Sequence, residues 1–537
     1  MAAVVTKLSL PINNSIIQRG TRMTRVVTPR NLITRVMLAL RVCFVLLVWG
    51  DWQSLAAVPE HEHPVPEKLG SVQFPTSCSS KAQKGFERAV ALLHSFAYSA
   101  AEKEFRDVAA KDPSCAAPHW GVAMTYFHQL WEPPLAPQNI ARGLAEIEQA
   151  KRLSSSDRER GFIDALGLIY GNVDSLPYQE RLNRYTQAMH KLAGRYQDDA
   201  ECQIFYALAL IASAPPSDAS HAKQKDAAVI LEPLFEKYPQ HPGIAHYLIH
   251  ACDNAEMAQQ GVAAARAYSQ IAPSAPHALH MPSHIYTRLG MWEESIASNL
   301  AAQKAARQQG DKGEELHAMD YLVYAYLQLG RDAGAARVLD ELRAMSALDG
   351  SDFKMGYAAS AMPARYAIER RQWSDAAQLV PVDGGSPQVS AVTLSSRSVG
   401  LARSGKPAAA RQEIEKLRSV YEKLRATRDD YWATQVRVQM NEALAWVAHA
   451  EGKADEALKL MRAAADEEDT IEKRPVTPGA IVPAREQLGD LLLESSHPKE
   501  AIKEFEHALT MTPQRRGASM GLAHAREMIA SAEPTKN

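Results

Sequence analysis

The feature that most constrains this chain lies near its C-terminal end, in Val482–Pro513, where residue types recur at fixed offsets. With Val482 as position 1, Leu488, Gly489, Leu492, Ala501, Phe505, Ala508 and Pro513 occupy positions 7, 8, 11, 20, 24, 27 and 32. Small residues at 8, 20 and 27 let two antiparallel helices approach closely. Large apolar residues at 11 and 24 fill the seam, and the proline at 32 stops the second helix. The register returns near the start: with Ala82 as position 1, Leu92, Tyr98, Ala101, Phe105 and Pro113 fall in it. A third copy runs from Pro242 to Pro273, and others begin near Pro276 and Leu316, with Gly290 and Gly330 at their inter-helix turns. A degenerate copy contains Gly452 and Ala457.

These offsets are those of the 34-residue tetratricopeptide repeat, a helical hairpin that cannot bury its apolar face alone and stacks on its neighbours. The expected fold is therefore all-α, a helical-hairpin repeat solenoid wound as a right-handed superhelix. At 537 residues the chain exceeds the roughly 250–300 at which one core stops growing, which suits an array. Aromatic residues make up only 7%, and strand-like alternation is nearly absent after residue 80. Less regular helical pairs fall near residues 155–240 and 353–425. Turn chemistry marks breaks at Trp131–Pro134, Ala214–Ser217, Val382–Gly385 and Lys473–Gly479, the last expected to be a longer loop on one face. The expected organisation is a leader over 1–57, a linker over 58–77, N-terminal repeats with a histidine-rich groove over 78–350, C-terminal repeats over 351–530 and a tail over 531–537.

The leader carries Lys7, Arg19, Arg22, Arg25, Arg30, Arg35 and Arg41 with no acid before residue 42. The apolar run Val42–Trp49 and the small residues Ser54-Leu55-Ala56-Ala57 follow. This order reads as a secretory signal, with an uncleaved inner-membrane anchor as the alternative. The expected location is periplasmic or secreted, with membrane contact only through the N-terminal segment. Cysteine usage agrees with export. Cys78 precedes the first helix and Cys115 follows the first hairpin, so the two are expected to be close enough to bridge. Cys202 and Cys252 fall in apolar helical runs, as buried thiols do.

In such repeats the first helix of each hairpin lines the concave surface through positions 2, 5, 9, 12 and 13. His246 and His250 occupy positions 5 and 9 of the repeat from Pro242, and His280 and His284 the same positions of the next. Each pair is spaced i, i+4, which places both rings on one helical face. His277 and His317 hold position 2 of successive repeats, Asp320 and Tyr324 positions 5 and 9, and His94 and His128 position 13. Two readings follow. His94, His128, His277, His317, Asp320 and Tyr324 could line a groove for a protein, peptide or small ligand. Alternatively His246, His250, His280 and His284, with Asp253 as a further ligand, could hold Zn, Cu, Ni or Fe. The structural alternative is that these imidazoles are packed polar groups satisfied by tyrosines or carbonyls. Pro282 between His280 and His284 puts the helical spacing of that pair in question.

Net charge is −2, so no global attraction to nucleic acid is expected. Phosphate loop, dinucleotide fingerprint, nucleophile elbow, His-Glu-x-x-His and CxxCH are all missing, which favours binding over catalysis. Five strings are distinctive: Leu92-Leu93-His94-Ser95-Phe96, Asp112-Pro113-Ser114-Cys115-Ala116, His246-Tyr247-Leu248-Ile249-His250, Pro276–Ile285 and Pro478–Glu486. With them the chain resembles a group of exported bacterial tetratricopeptide-repeat proteins without an assigned function. The resemblance spans roughly residues 70–525, implies fold and export, and carries no catalytic residues.

Overall fold

The computed structural model describes residues 67–130, 135–346 and 348–532. The leader, most of the linker, Trp131–Pro134 and the end of the tail lie outside them. Inner and outer helices alternate along the chain. The first four hairpins are α1 (Ser80–His94) with α2 (Tyr98–Lys111), α3 (Ala117–Thr125) with α4 (Pro137–Arg152), α5 (Asp157–Tyr170) with α6 (Tyr178–Arg195), and α7 (Ala200–Ala212) with α8 (Ala222–Lys237). Next come α9 (Pro242–Cys252) with α10 (Val262–Ile271), then the broken inner helix α11 (Pro276–His280) and α12 (Pro282–Arg288) with α13 (Trp292–Gln309). The chain continues through α14 (Lys312–Gln328), α15 (Asp332–Ala344), α16 (Phe353–Glu369), α17 (Trp373–Ala376), α18 (Pro387–Arg403) and α19 (Pro407–Ala426). It ends in α20 (Asp430–Ala450), α21 (Ala454–Glu468), α22 (Ala484–Glu494), α23 (Pro498–Met511) and α24 (Arg516–Ala532). The described residues contain no strand, and none of their helices is long and apolar enough to cross a membrane. The protein is an all-α helical repeat solenoid.

The repeat register works by close approach. A Cβ on Gly489 would lie 2.5 Å from the Phe505 ring, and one on Gly121 would lie 2.4 Å from Phe105. The aromatic ring at position 24 is thus received by a small residue of its own inner helix, as at Gly489, or of the next hairpin's, as at Gly121. Inner helices also meet across the solenoid: α1 touches α9 four hairpins on, and α14 touches α24 five hairpins on. The concave interior is therefore narrow.

Three expectations need correction. The described part of the linker is not a free connector, because Leu69, Val72 and Phe74 are buried. Phe74 packs at 5.2–5.4 Å from Phe86, Trp120 and Phe162, and Ser71 N–H donates to the Gln240 carbonyl at 2.8 Å. Residue 350 is not a boundary either, since one core runs from Leu69 through Val389, Trp432 and Val476, and Glu67–Asn537 is one compact unit. The last helix reaches Ala532, so the tail begins later than 531. Cys78 and Cys115 form a disulfide with Cα atoms 5.0 Å apart, and Cys202 and Cys252 are buried thiols.

Candidate functional site

Six histidines gather where α9, α11–α12 and α14 line the interior. His246 and His250 project from one face of α9, and their Nε2 atoms lie 3.1 Å apart. In the next hairpin Pro282 has no N–H and interrupts the ladder, splitting α11 from α12 at Met281. Met281 keeps right-handed helical angles (φ −53°, ψ −35°), and its N–H donates to the His277 carbonyl at 2.9 Å. The course therefore stays helical, and His280 and His284 face each other with Nε2 atoms 3.0 Å apart. The question raised by Pro282 is answered: the break does not separate the rings.

The rings sort into two triads, His246–His250–His277 and His280–His284–His317, in each of which one nitrogen from every ring lies within 4.8 Å of the others. Both obey one rule of the repeat: positions 5 and 9 of one hairpin meet position 2 of the next. The triads adjoin, with His250–His284 and His277–His280 ring centroids each 6.0 Å apart. Phe96 closes one end, 4.4 Å from His246, and Tyr321 the other, 4.7 Å from His280. The six rings are almost wholly withdrawn from solvent, from 0 to 6% exposed.

Around the rings stand acceptors that hold their Nδ1 protons. His246 donates to the His94 carbonyl at 2.6 Å, His277 to the Glu314 carboxylate at 3.1 Å, and His280 to Asn299 Oδ1 at 2.6 Å. His284 donates to Asp253 at 2.8 Å. Asn299 is oriented in turn, because its amide nitrogen donates to the Ser295 carbonyl at 2.7 Å. Arg288 at 2.9 Å and Lys473 at 3.0 Å bracket the Asp253 carboxylate. Although burial opposes its charge, these cations hold its pKa well below the usual carboxylate range. Burial, then the neighbouring imidazoles, pushes His246, His250, His280 and His317 well below 6.5. Burial takes His284 down to about 4 against the pull of Asp253. These five rings are therefore neutral near pH 7.

The segment between α21 and α22 roofs this row. Glu472 N–H donates to the Pro216 carbonyl at 2.9 Å, and Arg474 N–H donates to Tyr431 Oη at 2.9 Å. The Thr477 carbonyl accepts from Tyr321 Oη at 3.2 Å, and the Ala480 carbonyl from Arg365 at 2.7 Å. The stretch read as a loop on one face instead fills the concave interior. A cleft of about 720 Å³ still reaches the row, lined by Tyr98, His128, His277, Glu314 and Lys354 among others. On the other side a cavity of about 160 Å³ touches His250, Asp253 and Lys473.

The remaining groove candidates are placed as follows. His277 and His317 belong to the triads. Asp253, expected as a metal ligand, instead orients His284 from outside its triad. Asp320 lies 3.6 Å from Arg365, and its pKa is pushed up to about 6 by burial. Tyr324 Oη accepts from Arg515 at 3.1 Å, so neither position 5 nor 9 of that repeat faces an open groove. His94 is buried and hydrogen-bonded to Glu201 at 3.0 Å and Tyr247 at 2.9 Å. His128 stacks on Tyr98 at 4.3 Å in the cleft, away from the row. Sequence reasoning missed Glu314, Asn299, Arg288, Lys473 and Tyr321. No periodicity marks them, because each is chosen by a ring or charge distant along the chain.

No family model matches the chain, and no curated protein does either. Solved structures with similar stretches include the p58(IPK) tetratricopeptide-repeat domain, at 13% identity over 85% of this chain and 100% of that one, with a TM-score of 0.21. Cut9–Hcn1, an APC/C hetero-tetramer, is similar at 11% identity over 90% and 82% of the respective chains, TM-score 0.35. A human IFIT1 dimer with m7Gppp-AAAA is similar at 11% identity over 78% and 90%, TM-score 0.32. At such scores the assignment of the fold rests on this protein's own helices and register.

Proposed function

We propose that this protein is an exported scaffold that binds a small ligand, rather than a folded partner or an extended peptide, inside its solenoid. The observation that carries this reading is the course of Glu472–Ala480, which already covers the inner face along which a peptide would run. A cleft of about 720 Å³ lined in part by His277 stays accessible, a size suited to a small molecule. Export is supported by the basic leader and by the Cys78–Cys115 disulfide, a bond that persists in oxidising compartments. The location proposed is the periplasm or the medium, with any membrane contact made by the N-terminal segment.

Native mass spectrometry of the full chain, purified untagged from its own host, tests this reading. A bound small mass is expected, with reduced occupancy in Ala100→Trp, which fills the cleft. Stoichiometric capture of a protein with no bound small mass would contradict it.

A further inference from the structure

We infer that the two histidine triads are two adjacent sites for borderline first-row transition-metal ions, Zn(II) or Cu(II) foremost, one in each seam between consecutive hairpins. The inference rests on the small-ligand reading and names its chemistry.

Proton bookkeeping supplies the first argument. Asn299 Oδ1 is acceptor-only and is oriented by the bond to Ser295, so His280 must carry its proton on Nδ1. Asp253 is ionised between Arg288 and Lys473, so His284 must do the same. Both Nε2 atoms then present lone pairs to each other at 3.0 Å. Only a cation between them makes that contact favourable. In the preceding seam His246 donates from Nδ1 to a backbone carbonyl, and its Nε2 lone pair points at His250 Nε2, 3.1 Å away.

Geometry supplies the second. Tetrahedral zinc with Zn–N bonds of about 2.0–2.1 Å sets its ligand nitrogens roughly 3.3 Å apart. The observed separations of 3.0 and 3.1 Å, with the third nitrogen of each triad within 4.8 Å, need only small ring movements to match. Outside the nitrogens stand a carbonyl, an amide oxygen and two carboxylates, each accepting the opposite ring proton, as partners of metal-bound histidine do. Glu314 and Asp253 are held there by Lys354, Arg288 and Lys473. The inner donors are thus all imidazole, a set that suits Zn or Cu and not Mg or Ca. Three nitrogens per ion leave a coordination position open, and the cleft at His277 and the cavity at His250 give approach to the first triad.

The test uses the full chain, untagged, stripped with chelator and dialysed against Zn(II) or Cu(II) before elemental analysis by plasma mass spectrometry. Two equivalents are expected for the wild type. One is expected for His246→Gln/His250→Gln and one for His280→Gln/His284→Gln, and Asp253→Asn should weaken the second site about 10- to 100-fold. Fewer than two equivalents in folded wild type, or two in both double variants, overturns the inference. Should the double variants not fold, X-ray absorption of the loaded wild type decides: imidazole scattering from three nitrogens supports the sites, and a shell dominated by carboxylate or sulfur sinks them. A bound organic molecule without metal removes this inference and leaves the small-ligand reading standing.

Discussion

His280 and His284 meet Nε2 to Nε2 at 3.0 Å across the helix break that Pro282 makes. One hairpin earlier, His246 and His250 meet in the same way at 3.1 Å. The repeat thus copies a chemical unit as well as a packing unit, each completed by position 2 of the following hairpin.

The neutral histidines make stability depend on pH with a defined sign. His284 falls from 6.5 to about 4 on folding, chiefly by burial, with Lys473 pushing the same way and Asp253 opposing. The unfolded chain therefore binds the proton more readily. The stabilisation is complete above about pH 6.5 and is lost as pH falls towards 4. At 1.36 kcal/mol per unit, His284 alone should cost roughly 2 kcal/mol between pH 7 and 5, and the other depressed histidines add in the same direction. Urea midpoints at the two pH values check this, and equal or higher stability at pH 5 would contradict it.

Lys473 ties the roofing segment to the row through Asp253. Lys473→Met should raise the His284 pKa towards 6.5, visible in an NMR titration of the ring. It should also speed proteolysis within residues 470–483 and cost about 1–3 kcal/mol, because part of the compensation of a buried carboxylate is removed. An unchanged titration would show that the segment does not act on the row.

The Cys78–Cys115 bridge spans 37 residues. A loop of that size removes enough unfolded-state entropy to contribute roughly 4 kcal/mol at most. Cys78→Ser/Cys115→Ser should lower stability by about 2–4 kcal/mol with helicity retained, measured by denaturant unfolding. Reduction of the wild type should reproduce the loss.

Two glycine substitutions should act in opposite directions. Gly489→Ala drives a Cβ to 2.5 Å from Phe505 and should cost about 1–3 kcal/mol. Gly194→Ala, in α6 with nothing within 4 Å of the new Cβ, should gain about 0.5 kcal/mol. Chemical unfolding of both variants separates seam packing from helix propensity.

Much of this architecture was legible because the tetratricopeptide register is local. Gly489 and Phe505 are a fixed number of residues apart, and the spacing states the contact. The histidine columns were legible for the same reason, and positions 2, 5 and 9 could each be read. Their union into triads was not, because His277 joins His246 and His250 only when neighbouring inner helices pack. The filling of the groove was hidden as well. Lys473–Gly479 is rich in proline and lacks a period, which reads as a surface loop, and its burial depends on Asp253, Tyr321 and Arg365 far along the chain. Phe74 escaped notice because one aromatic residue among prolines gives no pattern until Phe86, Trp120 and Phe162 surround it.

The most direct measurement is anomalous X-ray diffraction at the zinc edge from crystals of the full chain loaded with Zn(II). Two anomalous peaks are expected, one among His246, His250 and His277 and one among His280, His284 and His317. A well-ordered interior with no anomalous density at either triad would contradict it.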